Sequence, residues 1–350
     1  MRLESFAPRL LKWYDEHRRD LPWRTTTDPY RIWLSEIILQ QTRVAQGMPY
    51  YLRFTEAFPA VTDLAAADER DVLRLWQGLG YYSRARNLHA TARIVAGEYG
   101  GVFPGTYAGL LALKGIGPYT AAAIASFAYR EQVAVVDGNV FRVLSRIFGI
   151  TTDIATPAAR KEFTELANRL IPADRPDLFN HAIMDFGATQ CVPASPVCLF
   201  CPFAGDCEAQ ATGRQADLPV KEKKTKVRDR FFQYIVLRSG NRLAMKERTG
   251  RDIWSGMYDF WLTESDAPLS PVKVASVTPE LPAELAARAE VSPEYLHVLS
   301  HQRIHATFLT IDVPDGFLLP EQLQWHTFEE LEDLPKPVLI LKYLQEKYQI

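Results

Sequence analysis

The sequence lacks any long uninterrupted apolar run. Of its 350 residues, 47% are hydrophobic and 23% are charged, which are proportions typical of a globular protein. No apolar stretch approaches the roughly 18–20 residues that a membrane span needs. Residues 1–17 carry acidic side chains inside their apolar pattern, unlike a secretory signal peptide. We therefore expect a cytosolic protein with no membrane association.

An excess of positive charge is also missing, because the formal net charge is −2 at pH 7. The charge is nevertheless unevenly distributed, which matters more for nucleic-acid binding than the sum does. Residues 221–230 hold six basic and two acidic side chains, whereas residues 231–350 hold 11 basic and 17 acidic ones. We predict that 211–230 is a basic linker between two domains. Its lysines either contact phosphate or are simply solvated.

Cysteine is scarce, and all four cysteines fall within one short segment. They are Cys191, Cys198, Cys201 and Cys207. A cytosolic chain disfavours structural disulfides, and four thiolates on one loop can bind either a zinc ion or an iron–sulfur cluster. Four-cysteine ligation alone does not separate these two possibilities, and chance clustering is the weaker alternative.

One carboxylate, Glu36, lies in the middle of an apolar segment. The pattern predicts a mostly buried helix from Tyr30 to about Gln46, capped by Asp28. A carboxyl group among apolar neighbours loses hydration, so its pKa rises and it can serve as a general acid near neutral pH. The alternative is that Glu36 lies on a polar helix face with Gln40 and Arg43.

A Gly-x-Gly turn, Gly115 to Gly117, separates two helix-like runs. Glycines that leave successive backbone N–H groups free at a helix N-terminus suit a phosphate, although an ordinary helix–helix turn explains them equally well. Further along, Asp137 lies where a loop enters a helix. Its simplest interpretation is an N-cap.

Another tight turn, Gly78 to Tyr82, carries two aromatic residues within a region of short helices that extends over 49–112. Tyr81 could insert into a base stack, as side chains do at kinked DNA. A purely structural aromatic residue is the simpler alternative. Residues 150–190 are again predicted to be helical.

Beyond the basic segment the pattern changes to α+β. Aromatic and β-branched residues recur in short runs, which predicts strands. The predicted strands are Phe231–Leu237, Leu243–Lys246, Tyr258–Leu262, Leu296–Leu299 and Ala306–Val313, and the predicted helices are Pro282–Ala289 and Val338–Tyr348.

Several motifs occur in one order: WRTTTDPYRIWLSEIILQQTRV, GLGYYSRARNL, LKGIGPYTAAAIASFAY, VDGNVFRVLSR and the four-cysteine loop. This combination resembles the helix-hairpin-helix DNA glycosylase superfamily of base-excision repair, in particular its adenine-specific branch, the MutY family. The resemblance implies an all-α helix-hairpin-helix glycosylase domain over 1–210, with the hairpin at 113–120 and a [4Fe–4S] loop at 191–207. An α+β Nudix-like domain that recognises the lesion would follow over 231–350.

The Nudix resemblance rests on KERTGRDIWSGMYDFW. The glutamate-rich catalytic helix of that fold is absent, because residues 278–294 contain only scattered acids. A Nudix-like domain without those metal ligands is expected to bind rather than hydrolyse.

The resemblance also implies roles for individual residues. Glu36 would protonate N7 of adenine, and Asp137 would stabilise the positive charge that develops on the deoxyribose. Tyr119 and Asn139 would support that catalytic pair. The other implied residues are Gln41, Tyr81, Gly115 and Gly117 for DNA binding, Arg19, Trp23 and Arg24 for the adenine pocket, Ser300 and His301 for 8-oxoguanine recognition, and the four cysteines as ligands of a structural [4Fe–4S] cluster.

Tyr119 stands where bifunctional relatives place their Schiff-base lysine, so the resemblance implies a monofunctional enzyme. Lys114 is the nearby rival amine, and it occupies a hairpin position where relatives often have proline. Leu299 replaces a frequent phenylalanine in the lesion loop. The implied partner is duplex DNA with adenine opposite 8-oxoguanine or guanine, bound by a monomer. The implied location is the cytoplasm, associated with the nucleoid when DNA is bound.

Three alternative functions differ in what they require. An endonuclease-III-type glycosylase with lyase activity would need an amine in place of Tyr119. A DNA-binding or redox-sensing iron–sulfur protein with a dead pocket is disfavoured by intact Glu36 and Asp137. A nucleotide-pool hydrolase acting through the tail is disfavoured by the missing glutamate helix.

Overall fold

The computed structural model describes residues 3–222, 227–250, 252–278 and 280–350. Their contacts divide the chain into two compact units. The first unit comprises Met1–Ala66 and Asn87–Lys223, and the second comprises Ala67–Arg86 and Lys224–Ile350. The predicted linker at 211–230 includes residues 223–226, which lie outside the described residues.

The first unit is helical, as predicted. Its helices are α1 (Phe6–His17), α2 (Pro29–Leu39), α3 (Val44–Ala57), α4 (Val61–Ala66), most of α6 (Ser83–Glu98), α7 (Tyr107–Ala112), α8 (Pro118–Tyr129), α9 (Gly138–Phe148), α10 (Pro157–Leu170), α11 (Pro176–Asp185) and α12 (Glu208–Ala211). Helix α5 (Glu69–Trp76) and the start of α6 belong to the second unit. Within the described ranges, no helix combines the length and the apolar character needed to cross a membrane.

Helix α2 begins as the sequence predicts but ends earlier. The side chain of Asp28 accepts a hydrogen bond from the N–H of Tyr30 at 2.9 Å, and Pro29 occupies the first turn. The helix stops at Leu39, so the prediction of one helix to about Gln46 is wrong. Gln41 has a φ of +56°, and a left-handed residue cannot continue a right-handed helix.

Helices α7 and α8 form a hairpin around the Gly-x-Gly turn. Gly115 has a φ of +89°, and a Cβ atom there would lie 2.7 Å from the hydroxyl oxygen of Thr91. The position therefore requires glycine both for its conformation and for its close contact with α6. Gly117 is the N-cap residue of α8, and Pro118 occupies the first helical position.

The second unit is built on a mixed sheet. Its strands are β1 (Arg228–Ser239), β2 (Arg242–Glu247), β3 (Tyr258–Asp259), β4 (Trp261–Ser265), β5 (Glu290–Val291), β6 (Tyr295–Val298), β7 (Gln302–Asp312) and β8 (Gln324–Thr327). Strand β1 is central, since it pairs in parallel with β7 and antiparallel with β2 and β4. The remaining helices are α13 (Pro271–Val277), α14 (Ala283–Ala287), α15 (Phe328–Asp333) and α16 (Val338–Tyr348).

The predicted order, an all-α part followed by an α+β part, is confirmed. Each predicted strand overlaps an observed one, and the predicted helix Val338–Tyr348 has those same bounds. Strands β5 and β8 and helices α13 and α15 were not predicted. Apolar side chains from β1, β2, β4 and β7, among them Ile235, Trp261 and Leu309, pack with α13 and α14 to form a core of this unit.

Candidate active site

The first unit contains an open pocket of about 980 Å³. Residues from α2, from the start of α8 and from the start of α9 meet there. The predicted site residues that line it are Arg19, Trp23, Arg24, Glu36, Gln41, Gly117, Tyr119, Asp137 and Asn139. Carboxylates from distant parts of the chain therefore share one cavity.

Glu36 is buried on the pocket wall, with only 7% of its surface exposed. The hydroxyl of Tyr119 donates a hydrogen bond to its Oε2 atom at 2.7 Å. Burial raises the pKa of Glu36 to about 7, although the Tyr119 hydrogen bond opposes this by favouring the charged form. The alternative of a solvated polar helix face is excluded, and Glu36 can carry a proton near neutral pH.

Asp137 is the N-cap of α9. Its Oδ1 atom accepts from the N–H of Val140, and its Oδ2 atom accepts from the side-chain amide of Asn139, both at 2.8 Å. Burial raises the pKa of Asp137 above its ordinary value, whereas these hydrogen bonds act in the opposite direction. The helix N-terminus also favours a negative charge. The N-cap interpretation is thus correct, and the same side chain faces the pocket.

Asp185, which the sequence reasoning missed, is fully buried at the end of α11. Its carboxylate binds the side chains of both Arg19 and Arg24. Burial alone would raise the pKa of Asp185, but the hydrogen bonds from the two arginines hold it below its usual value. An acid within an apolar run is the same signal that identified Glu36, and it could have identified Asp185 too.

His181 and Met184, also on α11, line the pocket too, and the sequence reasoning did not identify either of them. The ring of His181 stacks on Phe127 with 3.9 Å between centroids. Burial lowers the pKa of His181 to about 3, and the positive charge of Arg24 acts in the same direction. The imidazole is therefore neutral and can offer one donor and one acceptor to a ligand.

A π-helical turn, Phe186–Gln190, follows α11. It brings Gly187 against Asn139, so closely that a Cβ atom on Gly187 would lie 2.6 Å from that of Asn139. Arg142 of α9 donates to the side-chain oxygen of Asn139 at 2.8 Å and to the carbonyl of Cys191 at 2.7 Å. The base of the pocket is thereby connected to the cysteine loop.

The four cysteines are free of disulfides and partly buried. Cys201 lies within electrostatic range of the other three. Among the described residues, no three His, Cys, Asp or Glu side chains are close enough to bind a single metal ion. Four thiolates on one loop can hold a tetrahedral zinc ion or a four-iron cluster, which takes one thiolate on each iron.

Donors around the sulfur atoms also fit such a cluster. Arg146 donates to Cys191 Sγ at 3.5 Å, and the N–H of Phe203 donates to Cys201 Sγ at 3.4 Å. Hydrogen bonds to the sulfurs are a common feature of iron–sulfur sites. The loop is anchored at Phe203, which stacks on Phe6 of α1 with 4.9 Å between centroids.

Other predicted residues lie away from the pocket. Gly115 packs against α6, as described above. Lys114 is exposed and does not line the pocket. Its backbone carbonyl accepts a hydrogen bond from the hydroxyl of Thr91 at 2.7 Å. Tyr81 and His301 line a separate pocket of about 380 Å³ within the second unit, together with Trp254. Ser300 is exposed beside His301.

The comparisons with known proteins cover both units. The family model described as HhH-GPD superfamily base excision DNA repair protein matches residues 34–169, and that of a NUDIX domain matches residues 233–346. A protein named adenine DNA glycosylase from Buchnera aphidicola (subsp. Acyrthosiphon pisum, strain APS) is 34% identical over 256 residues, which are 73% of each chain. Another of that name from Rattus norvegicus is 44% identical over 227 residues, 61% of this chain and 44% of the rat protein.

The solved structure of a thermostable thymine-DNA glycosylase is also similar. It matches with a TM-score of 0.55 and 31% identity, covering 59% of this chain and 96% of that one. The chain spans 73% of the length of the Buchnera relative but less than half of the rat relative.

Proposed function

Because this chain belongs to the adenine DNA glycosylase family, we propose that it removes adenine paired with 8-oxoguanine or guanine from duplex DNA. The observation that carries the proposal is the pairing of two unlike carboxyl groups in one cavity. Glu36 is buried beside Tyr119 and holds a proton near neutral pH, whereas Asp137 accepts two hydrogen bonds at a helix N-terminus.

These environments divide the chemistry of N-glycosidic cleavage between the two groups. Glu36 donates its proton to N7 of adenine, which makes the base a neutral leaving group. As the bond between C1′ and the base breaks, positive charge develops on the deoxyribose, and ionised Asp137 stabilises it. Water then adds to C1′ and passes a proton to the Glu36 carboxylate, which restores the acid. Asn139 orients Asp137 through its 2.8 Å hydrogen bond.

The remaining pocket residues bind the extruded nucleoside. Trp23 is almost fully buried on the pocket wall and offers an aromatic surface to the base. Gln41 also lines this pocket. It lies in the turn after α2, where its backbone has a left-handed conformation. Gly117 presents the N-terminus of α8 to a DNA phosphate.

The same site argues for a monofunctional enzyme. Tyr119 occupies the position beside Glu36 and cannot form an imine with the sugar, while Lys114 lies outside the pocket lining. Borohydride should therefore trap no covalent DNA adduct. Trapping at the yield of a bifunctional glycosylase would instead support the endonuclease-III-type alternative.

Recognition of 8-oxoguanine is assigned to the second unit. Its apolar pocket brings Tyr81, which is 39% exposed, together with Trp254 and His301. An exposed aromatic ring suits insertion beside a base, and His301 supplies hydrogen-bonding groups next to Ser300. The absence of a Nudix glutamate helix from the sequence agrees with a binding role.

We further propose that Cys191, Cys198, Cys201 and Cys207 hold a [4Fe–4S] cluster. Such a cluster would stabilise the conformation of the cysteine loop, whose backbone carbonyls at Cys191 and Val192 accept hydrogen bonds from Arg142 and Arg146. Its contribution is structural, because hydrolysis of a glycosidic bond needs no electron transfer. Measured iron and sulfide, both near four per chain, would support this assignment, and one zinc per chain would contradict it.

The proposed reaction is tested by single-turnover excision on duplexes that differ only in the base opposite adenine. Adenine opposite 8-oxoguanine should react fastest and adenine opposite thymine slowly, and strand breaks should appear only after alkali treatment. Equal rates on both duplexes would contradict the proposed specificity, and breaks without alkali would contradict monofunctional action.

Asp137→Asn tests the mechanism directly. We expect excision to slow by at least about 100-fold, because the stabilising charge is lost, while duplex binding and folding persist since asparagine can still accept from Val140. The matched control is Asp28→Asn, the same change at the N-cap of α2. Wild-type turnover in Asp137→Asn would remove this residue from the mechanism.

A further inference from the structure

A buried carboxylate with no role in the reaction described so far binds two arginines of the pocket wall. Oδ1 of Asp185 accepts from Arg19 Nε at 2.7 Å and from Arg24 Nη2 at 2.6 Å. Oδ2 accepts from the backbone N–H of Arg19 at 3.2 Å and from Arg24 Nη1. Asp185 has no exposed surface, and the Arg24 side chain is 8% exposed. Both carboxylate oxygens are therefore committed to these guanidinium groups.

We propose that Asp185 is a positioning residue of the glycosylase reaction. Its carboxylate binds the guanidinium group of Arg24 bidentately and thereby prevents that group from turning towards Glu36. This inference rests on the proposed function, in which Glu36 is the general acid. An arginine presents its N–H donors in a rigid planar fork, and the edge that binds one carboxylate bidentately is not available to another.

The charges around Glu36 explain why this matters. Glu36 faces Tyr119 from α8, Asp137 from the N-cap of α9, and Arg24 from the turn Pro22–Arg24. Of these, Arg24 carries the positive charge. A guanidinium released from Asp185 would pair with the ionised form of Glu36, and such a pair lowers a carboxyl pKa by about one to three units. Glu36 would then lose its proton at the pH where it has to donate it.

The other contacts of Arg24 do not replace this restraint. Its Nη1 atom reaches the hydroxyl of Tyr14 at 3.4 Å, which is a long contact with a neutral group. His181 faces Arg24 and Asp185 but is neutral, because burial lowers its pKa to about 3. Arg19 shares Asp185 and is 31% exposed at its side chain. The carboxylate of Asp185 is thus the group that fixes Arg24.

The first test is the pH dependence of single-turnover excision in the full-length protein. Asp185→Asn should move the alkaline limb of the profile down by about one pH unit, while the rate on the acidic plateau changes much less. Arg24→Gln removes the competing cation, so the alkaline limb of its pH profile should move to higher pH. The double variant should no longer show the downward shift. A uniform loss of rate at every pH in Asp185→Asn would overturn the proposal, because a merely structural role has that effect.

The second test does not depend on activity. The carbon-13 carboxyl resonance of Glu36, identified by its loss in Glu36→Gln, is titrated in the wild type and in the variants. Its midpoint should fall in Asp185→Asn and rise in Arg24→Gln, and an unchanged midpoint in a folded variant would overturn the proposal. If the midpoints move as expected but Glu36→Gln still excises adenine at the wild-type rate, the proposed acid is wrong while the role of Asp185 stands. If Asp185→Asn fails to fold, the direction of the shift in Arg24→Gln decides.

Discussion

At the scale of single residues, Glu36 combines a function with a cost to stability. Its folded pKa of about 7 lies above the 4.5 of an ordinary glutamate. The folded protein therefore binds this proton more tightly than the unfolded chain does, and the resulting stability is fully present below about pH 4.5. That stability is lost as the pH rises through about 7, because ionisation of a buried carboxyl is unfavourable.

Glu36→Gln should therefore abolish excision and yet stabilise the protein in alkaline solution. Relative to the wild type, its free energy of unfolding should increase by up to about 3 kcal/mol between about pH 5 and about pH 8.5, since one pKa unit corresponds to roughly 1.4 kcal/mol. Thermal unfolding at both pH values measures this difference. Glu165→Gln on α10, where the side chain is 64% exposed, is the control and should show little change. A variant that gains nothing at the higher pH would contradict the buried state of Glu36.

Which of these residues the sequence identifies depends on the range of their contacts. Glu36 can be identified locally from its apolar neighbours in the sequence, and the four cysteines can be identified from their spacing. Asp185 shows the same local signal between Met184 and Phe186, but its role is not visible in the sequence, because its partner Arg19 is 166 positions away. The hydrogen bonds that give Asp185 its importance exist only once α11 packs beside the turn that carries Arg24.

At the scale of elements, the π-helical turn Phe186–Gln190 places the backbone that follows α11 against the N-terminus of α9, where Asp137 and Asn139 lie. Such turns interrupt an α-helix and frequently occur at functional sites. Gly187 provides the close approach, and its carbonyl accepts from Arg142 at 2.6 Å. Neither the turn nor the contact is visible in the sequence, since a single glycine after an apolar run also fits a simple helix end.

Gly187→Ala should therefore slow excision without unfolding the protein. The new methyl group would lie 2.6 Å from the Cβ of Asn139 and 3.2 Å from its Cα, so Asn139 has to move and Asp137 loses its orientation. A displacement of about 1 Å at a catalytic group costs on the order of 100-fold in rate. Single-turnover excision and thermal unfolding of the same preparation measure both effects.

The control for this change is Gly97→Ala within α6, where a Cβ atom would meet nothing within 4 Å. It should keep the wild-type rate and gain up to about 1 kcal/mol, because alanine favours a helix over glycine. Equal rates in Gly187→Ala and Gly97→Ala would show that the close contact has no catalytic importance.

The prediction for helix α2 failed at one end for a related reason. No glycine or proline occurs between Leu39 and Gly47, so the sequence gives no stop signal there, whereas the break depends on the left-handed conformation of Gln41. Strand β5 has two residues and pairs with β7, which is too short a pattern to recognise in the sequence. Helix α16, by contrast, was predicted with the correct bounds because its periodic pattern is long enough to recognise.

At the scale of the whole molecule, two units with separate cores are expected to unfold separately. In the second unit, Arg230 is 8% exposed and binds Asp252, Glu264 and Gln302. Its removal leaves Glu264 without its counter-charge, whereas Asp252 keeps Arg248. Breaking a buried pair typically costs about 3–5 kcal/mol, and the partial exposure of Glu264 makes the expected loss smaller. Arg230→Ala should lower the melting temperature of the second unit and leave that of the first unit unchanged in differential scanning calorimetry.

Arg238 supplies the control on the same strand. It pairs with Asp312 on the surface, where the two side chains are 34% and 68% exposed, and such pairs contribute less than about 1 kcal/mol. Arg238→Ala should therefore shift the second transition little. A single transition that moves as one in both variants would mean that the units do not unfold independently.

The grouping of residues 67–86 with the second unit has a consequence for recombination. The backbone passes from one unit to the other after Ala66, returns after Arg86 and leaves again after Lys223, so no single crossover point separates the two. In a hybrid gene joined at codon 223, residues 224–350 would come from one parent and residues 67–86, which include Tyr81, from the other. The second unit would then be assembled from two different sequences. Compatible hybrids therefore need residues 67–86 and 224–350 from the same parent, and opposite-base preference should follow that pair of segments.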